Sequence, residues 1–167
     1  FSFTYILKVK NNFFSAFERY SWFTSTVSFY LDYLIFGIKP FGYFLTNILI
    51  HIINVILLGL LVNYLFNNRI LSLLVMLFWG INSQYVETIF WVSGRGHSTL
   101  MLFILATLLC FITWKKAKKT YLYVLSIIFA ALAHLTLFNA VIIPMLLIAY
   151  ILLFNTFKPV KKILRYN

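Results

Sequence analysis

The residues best equipped for chemistry sit in one short stretch, Tyr85-Val86-Glu87-Thr88-Ile89-Phe90-Trp91-Val92-Ser93-Gly94-Arg95-Gly96-His97. It brings together an acid, an indole, a guanidinium and an imidazole between two apolar runs. Arg95 could clamp a phosphate through two parallel N–H groups. Trp91 could stack on a sugar ring or sit at headgroup level. Glu87 could orient Arg95 or accept a proton. His97 completes the set. The plainer reading is a structural Glu87–Arg95 ion pair with Trp91 as an interfacial belt residue. A second group is Asn47, His51 and Asn54, whose helical spacing places them on one face of an apolar run. That face is expected to meet other helices through hydrogen bonds. His134 and Asn139 are read as packing or kink residues.

The surrounding elements explain why such residues stand out. Of 167 residues, 63% are hydrophobic, 20% aromatic and 10% charged, with a mean hydropathy of +0.95. Soluble domains carry about 25% charged residues. The composition predicts an all-α, polytopic transmembrane bundle with an exoplasmic interfacial helical segment. Residues 1–41 form that interfacial segment. Residues 42–154 form a bundle of about five helices, and 155–167 a basic tail. The clearest span is 43–66. Others begin at 70 and 98, and 121–154 reads as a hairpin of two short helices or one kinked region, with the charge distribution favouring the hairpin. Lys39-Pro40-Phe41-Gly42 breaks the chain before the first span. The sequence opens on Phe1 without signal-peptide features and reads as a piece of a longer protein.

Fourteen Lys and Arg face three acids, Glu18, Asp32 and Glu87. The basic residues flank apolar runs, so they report membrane topology rather than nucleic-acid binding. The positive-inside rule puts Lys115–Lys119 and the C-terminus in the cytoplasm. The loop 82–97 is then exoplasmic or lumenal, with all three acids on or near that face. Cys110 is the lone cysteine. No ligand set for a metal is identifiable, and a divalent metal is left open. The apolar runs lack the charged relay or paired broken helices of transporters.

PFGYFLTNILIHIINVILL at 40–58, followed by YVETIFWVSGR at 85–95, resembles the polytopic glycosyltransferases of the GT-C class. The nearest branch is the protein O-mannosyltransferase-like proteins that often carry tetratricopeptide repeats. Gly42, Tyr43, Leu45, Thr46, Asn47, His51 and Asn54 match its pattern. Several positions depart from it. Phe44 replaces a histidine, only Glu87 survives from a His-Pro-x-His-x-Glu run, and His97 replaces an acid. Thr136, Leu137 and Phe138 replace Ser-Lys-Glu, and Arg19-Tyr20 replaces Arg-Pro. The resemblance implies catalytic acids upstream of Phe1, so the catalytic residues are unknown here.

Two functions follow as expectations. The first is transfer of a sugar from a polyprenyl-phosphate donor on the exoplasmic side, with Arg95 holding the phosphate. The alternative is a degenerate, non-catalytic GT-C-like subunit scaffolding a larger membrane complex. The partners are the lipid bilayer, the polyprenyl-phosphate sugar if the chain is active, and other membrane subunits.

Overall fold

The computed structural model describes residues 23–82 and 94–156. Glu18, Arg19, Glu87, Trp91 and the basic tail from Lys158 onward lie outside the described residues. The described chain is helical, with no strand. The helices are α1 (Phe23–Phe36), α2 (Pro40–Phe66), α3 (Arg69–Ile81), α4 (Arg95–Ala117), α5 (Thr120–Thr136) and α6 (Ile142–Ile151). A 3-10 turn, Phe138–Val141, precedes α6, and a π-helical turn, Leu152–Thr156, follows it.

Local chemistry sets the boundaries. Gly37 ends α1 by taking φ 60°, and its N–H donates to the Tyr33 carbonyl at 2.9 Å. Pro40 then starts α2 at its first position, where no N–H is needed. The break therefore falls at residues 37–39, and α2 begins two residues ahead of the expected bundle start at 42. At its far end Asn67 turns left-handed at φ 53° and its N–H bonds the Asn63 carbonyl at 2.8 Å. Asn68 caps α3 by accepting from the Leu71 N–H at 3.0 Å. Lys118 repeats the left-handed cap at φ 57°, closing α4 onto the Trp114 carbonyl at 2.7 Å. The expected hairpin within 121–154 opens at Leu137, which is extended. Pro144 lies in the first turn of α6, where it breaks no helix.

The helices alternate in direction. His51 and Gly59 of α2 meet Gly80 and Ser72 of α3, so that pair is antiparallel. Tyr43, Asn54 and Tyr64 meet Arg95, Ser98 and Lys116 in the same order, so α2 and α4 run parallel. Ser126 of α5 donates to the Thr107 carbonyl of α4 at 3.2 Å, and Trp114 meets Tyr123, which makes α5 antiparallel to α4. α4 is central and packs on α1, α2, α5 and α6. Leu100 and Ile104 of α4 form one apolar core with Ala133, Leu137, Ala140 and Ile143. Leu105 and Ile112 form another with Leu61 of α2.

Two helices, α2 with 27 residues and α4 with 23, are long and apolar enough to cross a membrane. At 1.5 Å per residue they reach about 40 and 35 Å. α3, α5 and α6 have 13, 17 and 10 residues. They fall short of the roughly 20 residues that cross a hydrocarbon core. The break at Leu137 divides what the apolar composition of 121–154 presents as one run.

Candidate functional site: a buried arginine hub

Arg95 opens α4 directly after Gly94 and points between α1 and α2. It is fully buried, at 0% exposure. Its Nε donates to Asn47 Oδ1 at 2.7 Å, one Nη to Ser28 Oγ at 3.1 Å and the other Nη to the Tyr43 carbonyl at 2.8 Å. Asp32 Oδ2 lies 2.6 Å from the nitrogen that contacts Ser28. That contact is an ion pair off the hydrogen-bonding direction, since the same oxygen has no aligned donor. The Phe29 ring covers the guanidinium, its centroid 4.2 Å from Cζ.

Thr46 of α2 holds the carboxylate. Thr46 Oγ1 donates to Asp32 Oδ1 at 2.8 Å, with the Gly42 carbonyl 3.2 Å away as a second acceptor. Tyr43 is fully buried, stacks obliquely near Phe29, and its hydroxyl donates to the Gly37 carbonyl at 2.8 Å. Gly42 permits this approach, because a Cβ there would run into the Phe36 side chain. The turn between α1 and α2 is thereby pinned over the hub.

Helical periodicity explains who meets whom. Asp32 follows Phe29 and Ser28 by three and four residues, so the three share one face of α1. Tyr43 and Asn47 stand four apart on α2. Asn47 and Asn54, seven apart, both face α4, and Asn54 Nδ2 donates to the Ser98 carbonyl at 2.9 Å. His51 lies about 40–60° round the helix from them. It leans to α3, with Nε2 3.4 Å from the Gly80 carbonyl. So the face expected to be shared by Asn47, His51 and Asn54 is divided between two neighbours. His134 Nδ1 contacts the Ala130 carbonyl of its own helix at 2.8 Å.

Of the sequence-derived set, Arg95 is in the hub and His97 is exposed one turn-fraction further along α4. Glu87 and Trp91 lie outside the described residues. The carboxylate against Arg95 is Asp32, which sequence reasoning placed on the same face but did not pair with it. The signal available was an acid within an apolar helix, which needs a buried cation. Ser28 and Phe29 carried no signal of their own. Among the described residues no three His, Cys, Asp or Glu side chains converge as a metal-ligand group.

Comparisons with protein-family models, with curated proteins and with solved structures find no match.

Proposed function

We propose that this chain is an integral membrane helical bundle on a GT-C-like plan, and that it serves as a non-catalytic subunit of a larger membrane assembly. The membrane part rests on an inverted distribution of polarity. Phe78 is 81% exposed, and Leu73, Leu77, Met145 and Ile148 are also exposed, while Asp32, Asn47, Asn54, Arg95 and Thr107 are buried. Water would penalise that outer surface, whereas lipid favours it. On this reading the shorter helices cross or enter the bilayer beside α2 and α4. The hub lies toward the exoplasmic or lumenal side, and the turns at Asn67 and Lys118 toward the cytoplasm.

The non-catalytic part is carried by one observation: the guanidinium is enclosed and engaged by its own chain. A phosphate could reach Arg95 only after Asp32 was displaced. An ion pair this buried acts as a clasp between α1, α2 and α4.

Glycosyl transfer is the second reading. Gly42, Tyr43, Thr46, Asn47 and Arg95, all within the stretches that resemble the family, meet in one network. In that reading Arg95 stabilises charge on the leaving polyprenyl phosphate.

One experiment separates them. Removing one partner of a buried ion pair costs about 3–5 kcal/mol, whereas replacing both with apolar groups is close to neutral. Asp32→Leu and Arg95→Met are each expected to lower resistance to unfolding in mixed micelles by that amount, and the double variant to recover most of it. A stable Arg95→Met variant that had lost sugar transfer from a polyprenyl-phosphate donor would favour the enzyme.

A further inference from the structure

The end of the bundle opposite the hub is built from two turns of the same design. Asn67 and Lys118 each close a helix in the left-handed conformation, and Asn68 and Lys119 each lead extended into the next. Lys116 ties the turns together. Its Nζ donates to the Tyr64 carbonyl at 3.2 Å and lies 3.7 Å from the Tyr64 ring centroid. Arg69, Lys115, Lys116, Lys118 and Lys119 are thereby gathered at one end.

Among the described residues no carboxylate lies at that end. Asp32 is the one acid among the described residues, and it is held by Arg95 at the other end. Each lysine also has an aromatic ring beneath it. Lys115 sits over Phe111 at 5.7 Å, Lys118 over Trp114 at 5.9 Å and Lys119 over Tyr121 at 6.0 Å. Trp114 packs on Tyr123 at 4.7 Å. Aromatic rings with ammonium groups beyond them are the chemistry of a headgroup layer.

Lys118 adds an independent argument. A left-handed cap favours glycine, and an L side chain there is strained. What lysine brings to that position is charge. The first turn of α5 adds N–H groups without a side-chain cap, which reinforces the positive potential.

We propose that this end is a binding surface for anionic phospholipid headgroups, their phosphates lying across the two turns. The proposal rests on the membrane reading above. Favourable helix-end electrostatics alone would explain one or two lysines at the C-terminus of α4, but not a fivefold cationic cluster spanning two hairpins.

The test reconstitutes the full chain into vesicles of phosphatidylcholine with and without phosphatidylglycerol, then measures flotation and the lipid retained on extraction. The chain is expected to float with both and to retain phosphatidylglycerol preferentially. K115Q/K116Q/K118Q/K119Q is expected to lose that preference, at about fivefold per lysine removed. Lys118→Gly relieves the backbone strain, so it is expected to keep or raise thermal stability while lowering phosphatidylglycerol retention. Equal retention of the two lipids by the unaltered chain, or unchanged preference in both variants, overturns the proposal and leaves the membrane reading standing. Displacement of phosphatidylglycerol by millimolar inorganic phosphate also overturns it, in favour of a free-anion site. Failure to float with either vesicle overturns both.

Discussion

At the scale of single residues, the hub is a problem of hydrogen-bond satisfaction. A buried guanidinium needs several acceptors at fixed angles, and Asn47 supplies the one for Nε at 2.7 Å. Asn47→Leu leaves a charged donor without its acceptor, and is expected to cost about 1.5–3 kcal/mol in a chemical unfolding titration. Asn47→Asp keeps an acceptor in place and is expected to cost less. The residues of this hub were partly legible in the sequence. Arg95 stood out as a charge in a polar stretch between two apolar runs, and Asn47 because polar groups are rare in apolar helices. Asp32 stood out for the same reason, yet its partnership with Arg95 did not. Glu87, only eight residues from Arg95, was the nearer acid along the chain. Three-dimensional proximity between α1 and α4 has no local signature, and Ser28 and Phe29 look like any other residues of an aromatic-rich helix.

At the scale of elements, close approach between α2 and α3 depends on Gly59. Ser72 Oγ donates to its carbonyl at 2.7 Å in a buried contact. A Cβ at residue 59 would run into Met76 Sδ and come within 3.3 Å of Ser72 Oγ. Small residues let helix backbones meet in this way. Gly59→Val is expected to destabilise by about 1–3 kcal/mol, read from thermal unfolding of the detergent-solubilised chain. Trimming Met76 to Ala in the same chain is expected to return part of the loss, since the thioether is the nearer obstacle. The start of α2 was legible because Lys39-Pro40-Phe41-Gly42 breaks the chain ahead of an apolar run, and Pro40 opens the helix. Helix lengths were less so. An apolar run does not reveal that Leu137 becomes extended, or that α3 stops at Ile81. Both ends are set by packing and backbone hydrogen bonding rather than by a change in hydropathy.

At the scale of the whole molecule, alternating helix directions place the hub and the lysine-rich turns at opposite ends. In a Cys110→Ala background, cysteines introduced at Asn68 and Lys119 are expected to react with a membrane-impermeant maleimide from one side of sealed vesicles. Cysteines at Lys39 and His97 are expected to react only from the other. Labelling of all four from one side would dismiss the membrane arrangement. This up-and-down order followed from where the charges fall, but the parallel pairing of α2 with α4 did not, because hydropathy carries no information about which helices touch. The clasp also has a consequence in time. The α2–α3 and α4–α5 pairs are joined by two-residue turns and can form from neighbouring segments. Arg95 instead reaches partners 48 to 67 positions earlier, at Asn47, Tyr43 and Ser28. Such distant closure carries the larger entropic cost. Two hairpins that form early and dock late make the guanidinium the catch that closes the assembly, so lesions at the hub should act chiefly on how fast the docked form springs open.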